Sequence, residues 1–196
     1  MAILRSVLSF ADGFARNPSQ AAVDAALRPS PALGLAGYFL GALSVSVWAQ
    51  LLWGESGGLI GMLDVLFILL LCNLFLALLC AGLSNLFLEF SGAKSRSLSL
   101  FVIFGLAEGV KAVLVPSAMV LMAFGASGFG PVLFLIVLAA QFLCALGLMA
   151  RVYQVTKFQA FLALSFPGML AGLLAFLSFS AFVLWVLTGL KTTMPA

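Results

Sequence analysis

The chain has 196 residues, 64% of them hydrophobic and 8% charged, with 9 Lys and Arg against 6 Asp and Glu, a net charge of +3 and no histidine. A soluble domain carries about 25% charged residues because its surface must be solvated. This composition therefore excludes a water-soluble globule and requires lipid as the solvent of most of the surface. The missing histidine excludes histidine bases, histidine-containing triads and the usual zinc sites, and no basic run suggests a nucleic-acid face.

In chain order, residues 1–17 do not form the continuous apolar core of a cleavable signal peptide, because Asp12 and Arg16 interrupt it. Ile3, Leu4, Val7, Leu8, Ala11 and Phe14 instead recur on one helical face, with Arg5, Ser6, Asp12, Gly13 and Arg16 on the other. Such a helix lies in the membrane interface or on the rim of a bundle. Asn17-Pro18-Ser19-Gln20 starts a second short helix over Ser19–Leu27, with Asn17 as cap, Pro18 at the first position and Gln20 completing a capping box. Pro29 and Pro31 then end that helix and lead into the first span.

Apolar runs over 32–53, 59–88, 98–124, 131–150 and 159–189 predict an all-α polytopic integral membrane protein, its five spans forming one bundle over 32–190. Residues 1–31 form the N-terminal helices before it and residues 191–196 a short tail after it. A hydrocarbon core about 30 Å thick needs about 20 helical residues, so the second and fifth spans must tilt, project or break. Pro167 is the expected break in the fifth. Trp48, Trp53 and Trp185 fall toward the outer ends, as an aromatic belt would place them. Arg5, Arg16, Arg28, Lys94, Arg96, Arg151 and Lys157 lie on one side of the spans and only Lys191 on the other. This excess predicts a cytoplasmic N-terminus and an outside C-terminus.

Gly34, Gly37 and Gly41 in the first span, Gly105 and Gly109 in the third, and Gly168 and Gly172 in the fifth are spaced to let helix backbones approach. Cys72, Cys80 and Cys144 sit in apolar runs without a CxxC pair and read as small buried hydrophobes.

The chemical interest lies in the third span. Glu108 is about 15 Å deep at 1.5 Å per residue, and Lys111 lies three residues on, within side-chain reach. Asp64 enters the second span from the other side, at a depth within several ångströms of Lys111, and Asn73 and Gln141 fall near the midplane. Buried charges in a membrane pair with one another or line a polar path. The functional reading is a proton or ion path, or a substrate site. The structural reading is a neutralised Glu108–Lys111 pair, with Asp64 nearby and the amides as interhelical hydrogen-bond partners. The structural reading is preferred, because one pair and two amides fall short of a continuous relay. No phosphate loop, nucleophile elbow or metal spacing is present, so no cofactor is expected.

Three segments carry a resemblance to a known family. Arg28-Pro29-Ser30-Pro31 stands before the first span, Gly92-Ala93-Lys94-Ser95 follows a long second span, and Arg151-Val152-Tyr153 is followed by Lys157 and Pro167. In this order, over residues 18–190, they resemble prokaryotic members of the Yip (Ypt-interacting protein) domain family. The resemblance implies five spans, a cytoplasmic N-terminus and a non-enzymatic role. The chain departs from the pattern in the third span, where it has Glu108 in place of a proline, its own proline being Pro116. It also lacks the Tyr-Gly-Pro-containing N-terminal region of the eukaryotic members, so binding of Rab-type GTPases is not expected. Two functions remain: a scaffold or assembly subunit, whose partners are the bilayer and other membrane subunits or a second copy, and a small transporter or channel component built on the Glu108 layer.

Overall fold

Proline and glycine punctuate the helices. The computed structural model of the chain describes Phe10, residues 12–54 and residues 58–193, with side chains outside 58–60 and 181–193. The described helices are α1 (Pro18–Leu27), α2 (Pro31–Trp53), α3 (Gly58–Phe90), α4 (Ser97–Glu108), α5 (Leu114–Ala123), α6 (Gly130–Val152) and α7 (Lys157–Thr193). A 3-10 segment, Gly109–Val113, joins α4 to α5. Asn17 caps α1 by accepting from the Gln20 backbone N–H at 3.2 Å. The capping box is not completed, because the Gln20 amide turns to Asp24, 3.0 Å away, instead of back to the cap. Phe10 and residues 12–16 are helical, whereas Ile3, Leu4, Val7, Leu8 and Ala11 of the expected amphipathic face lie outside the described residues.

Five helical stretches are long and apolar enough to cross a membrane: Pro31–Trp53, Gly61–Phe90, Ser97–Ala123, Ser127–Val152 and Lys157–Ser180. The fold is therefore an all-α polytopic bundle. α4 is its axis, packed on α1, α2, α3 and α6, while α7 packs on α3 and α6. At the end bearing Lys94, Arg96 and Arg151, Leu88, Leu100, Ile103 and Met149 form the core; toward the other end, Trp48, Leu114, Ala118 and Val137 form a second. Trp48 is 3% exposed and stacks on Phe134, so it belongs to this core, not to a lipid-facing belt. Trp53, 54% exposed, faces outward, and the side chain of Trp185 lies outside the described residues.

α3 is a continuous helix of 33 residues. At 1.5 Å per residue it is about 50 Å long, which leaves its ends outside a hydrocarbon core about 30 Å thick unless it tilts. It closes in a Schellman motif: Gly92 adopts φ 81°, and the Ala93 and Gly92 N–H groups bond the Leu88 and Glu89 carbonyls.

Two prolines behave opposite to expectation. The break expected at Pro167 does not form, and α7 runs unbroken from Lys157 to Thr193. Proline lacks the N–H that would bond the carbonyl four residues earlier, here Ala163. The buried Ser84 hydroxyl of α3 takes that carbonyl instead, at 2.8 Å, and a freed carbonyl with a partner no longer forces a break. The span that is interrupted is the third, read as one helix over 98–124. Pro116 removes the N–H that would bond Ala112, and the chain before it tightens into the 3-10 segment.

This pairing makes a cycle testable. Ser84→Ala should destabilise the fold by about 1–3 kcal/mol, the cost of orphaning a buried carbonyl. In a Pro167→Ala background, where the helix supplies its own N–H, the same change should cost little. Thermal unfolding of the four proteins in mild detergent measures the coupling, and equal costs in both backgrounds would remove Ser84 from the account.

Candidate functional site

The third span delivers the charges. Glu108 ends α4 and Lys111 lies inside the 3-10 segment, where residues three apart are nearly eclipsed. Their side chains accordingly meet, with Lys111 Nζ 2.7 Å from Glu108 Oε2, and the two residues are 7% and 8% exposed. The other carboxylate oxygen, Oε1, accepts from Gln141 Nε2 of α6 at 2.7 Å. A carboxylate accepts only, so Gln141 must present its amide nitrogen to Glu108 and turn its own oxygen away. That oxygen is buried and has no hydrogen-bond partner.

Glycine makes room for the pair. A Cβ on Gly41 of α2 would stand 2.7 Å from Glu108 Oε2 and 3.0 Å from its backbone oxygen. The close approach extends along the interface. A Cβ on Gly37 would overlap the Gly105 carbonyl, and one on Gly105 would stand 2.5 Å from the Gly34 oxygen. Tyr38, beside this seam, donates from its hydroxyl to the Phe101 carbonyl at 3.1 Å and packs its ring on Phe101.

A cavity of about 330 Å³ opens beside the pair, between α3 and α6. Its polar lining consists of Glu108, Gln141, Asn73, Tyr38 and Cys80. Leu76 and Phe142 at its edge are 55% and 37% exposed, so the cleft faces laterally, toward the surface that lipid covers. Asn73 is half-buried, and its side chain makes no hydrogen bond among the described residues.

No family model, curated protein or solved structure matches this chain.

Four of the five expected polar residues, Asn73, Glu108, Lys111 and Gln141, come together. Asp64 does not. It is exposed on α3 and forms no ion pair among the described residues. Depth along a span fixes one coordinate only, and the rotation of α3 turns Asp64 away. Among the expected packing glycines, Gly34, Gly37, Gly41 and Gly105 make close approaches. Gly109, Gly168 and Gly172 do not, since a Cβ on any of them would meet nothing within 4 Å. Spacing alone did not distinguish the two sets.

Tyr38 was missed by sequence reasoning; the only signal was a phenol hydroxyl in an apolar span, which needs a partner when buried. Two further buried atoms on α2, Ser46 Oγ and Trp48 Nε1, also lack hydrogen-bond partners. Outside the spans, the Tyr153 hydroxyl donates to the Arg96 carbonyl at 3.1 Å and ties together the two turns at the basic end. Burial raises its pKa above the ordinary phenol value and keeps it a donor.

Among the described residues, no three His, Cys, Asp or Glu side chains are grouped to hold a metal ion. Chemically, the arrangement offers hydrogen-bond acceptors and an amide at the side of a membrane bundle, above a fixed ion pair.

Proposed function

We propose that this multi-pass membrane protein is a non-enzymatic assembly subunit, which receives a transmembrane helix of a partner subunit in the cleft between α3 and α6. The resemblance to prokaryotic Yip-type proteins implies only a non-enzymatic role, with which this reading agrees. The observation that carries it is the Asn73 amide, which bonds nothing among the described residues and lines a lateral cleft shared with Gln141 and Glu108. Lipid tails cannot satisfy such groups, whereas a Ser, Thr or Asn on a neighbouring helix can, and interhelical hydrogen bonds of this kind hold membrane complexes together.

The second reading, a transporter or channel component, draws on the interruption of the third span beside Glu108, since transporters bind substrate at broken helices. Pro116 already accounts for that interruption, and the rest of the cavity lining is apolar, so among the described residues this cavity supplies no chain of polar groups from Glu108. An ion path needs one.

Purification in mild detergent, with identification of co-purifying subunits, tests the choice. Wild type is expected to carry a stable partner. Asn73→Leu should release it without loss of thermal stability, because the Asn73 side chain bonds nothing among the described residues. A lone wild-type chain that supports ion-coupled flux in liposomes would overturn the reading.

The basic end is proposed to face the cytoplasm of a bacterial inner membrane. In a background without native cysteines, a cysteine at exposed Ser127 should react with an impermeant thiol reagent added outside, and one at exposed Ser97 should not. The reverse pattern would invert the orientation.

A further inference from the structure

A second and larger cavity, about 830 Å³, lies on another side of the bundle and shares no lining residue with the cleft. Its size is within the range of sites for drug-sized ligands, about 300–1,000 Å³. Leu33 and Leu40 of α2, Val110 of the 3-10 segment, and Leu143 and Gly147 of α6 line its length. Ser19 of α1 and Arg151 in the last turn of α6 line it at the basic end, beside Phe10, Phe14 and Pro18. From Leu143 to Arg151 the groove follows eight residues of helix, about 12 Å. That is most of one leaflet of a hydrocarbon core about 30 Å thick. The groove is thus an apolar channel with one polar end.

The charge at that end is uncompensated. Arg151 is exposed, and its guanidinium donates to the Ser19 hydroxyl, a neutral partner. It forms no ion pair among the described residues, where the ion pairs are Arg16–Asp12 and Lys111–Glu108. An arginine offers five N–H donors, so it can hold Ser19 and an anion together. The guanidinium is also the side chain best suited to phosphate oxygens.

We infer that the groove binds an anionic phospholipid of the leaflet at the basic end, with its acyl chain laid along α6 and its phosphate on Arg151. The groove and its charge would bind such a lipid whether or not the chain is an assembly subunit. A zwitterionic lipid would enter the same apolar channel but would bring a cation of its own near the guanidinium. A soluble anion would gain Arg151 and leave the apolar length empty. The anionic amphiphile is the class that uses both parts. Gly147 faces open space in the channel, since a Cβ there would meet nothing within 4 Å.

The test uses the full chain in phosphatidylcholine vesicles doped with a phosphatidylglycerol, or with a phosphatidylcholine, that carries a photoactivatable acyl chain. Cross-linked peptides are then mapped by mass spectrometry. The phosphatidylglycerol probe is expected to label residues 143–148 and 109–113 about fivefold more than the phosphatidylcholine probe, the increment one basic side chain provides near a lipid anion. Labelling at the exposed Leu135 and Ile136 should show no such preference. Arg151→Gln should abolish the preference. Gly147→Phe should abolish groove labelling while thermal stability holds, since the new ring enters open space. If Gly147→Phe fails to fold, Gly147→Leu serves the same purpose with less bulk. Equal labelling by both probes would reduce the groove to ordinary lipid contact and overturn the inference. An unlabelled groove in wild type, as when another segment of the chain fills it, would overturn it as well.

Discussion

Glu108→Gln is expected to lower stability by about 3–5 kcal/mol, the cost of leaving one member of a buried ion pair without its counter-charge. Lys111 is 7% exposed, and Glu108 is its ion-pair partner among the described residues. With the carboxylate gone, the lysine must lose its proton, reach for the membrane surface or stay charged in a site built around an anion, and each option is unfavourable. Replacing Glu108 and Lys111 together by Leu should recover most of the loss, because apolar side chains of similar volume often match a buried pair in stability. Gln141 Nε2 would still lack its acceptor, so the triple change that adds Gln141→Leu should recover more. Thermal unfolding of the wild type, single, double and triple proteins in mild detergent measures the series. A Glu108→Gln protein as stable as wild type, with lost ion flux, would instead assign Glu108 to transport.

Much of this architecture was legible because lipid imposes a simple rule on sequence. Helices that cross the bilayer must be long and apolar, and Pro31–Trp53, Gly58–Phe90 and Ser97–Ala123 each end within two residues of the apolar runs that predicted them. The pairing of Glu108 with Lys111 follows from a spacing of three, and Gln141 was placed beside them by depth. What depth cannot supply is rotation about the helix axis, which is why Asp64 was brought too near and Gly168 was given a neighbour it lacks. Pairings between distant residues were equally hidden. Ser84 and Pro167 are 83 positions apart in the chain, and only the fold shows that the serine hydroxyl holds the carbonyl that the proline leaves free. Without that partner the proline reads as a break, and with it the helix continues. At Pro116 no side-chain donor takes the Ala112 carbonyl among the described residues, and there the ladder tightens.

The glycines yield the other large effect. Gly37→Ala and Gly105→Ala should each destabilise the bundle by about 3 kcal/mol or more, at the upper end of overpacking costs, because the added methyl meets backbone. On Gly37 it would overlap the Gly105 carbonyl, and on Gly105 it would stand 2.5 Å from the Gly34 oxygen and 2.7 Å from its Cα. Backbone cannot rotate away as a side chain can, so α2 and α4 would have to separate. Gly34→Ala should be milder, since its nearest neighbours at 2.8 and 2.9 Å are ring atoms of Phe101, although turning that ring disturbs its contact with Tyr38. Gly168→Ala and Gly172→Ala should be tolerated, with space at both positions and better helix propensity from alanine. Parallel thermal unfolding of these five proteins separates a backbone seam from small residues that merely share its spacing. If Gly168→Ala proved as damaging as Gly37→Ala, α7 would have a close partner that the isolated chain does not supply, and the assembly surface would extend to that helix. If Gly37→Ala were harmless, the α2–α4 seam that seats Glu108 against Gly41 would be wrong, and the geometry of the ion pair would fall with it.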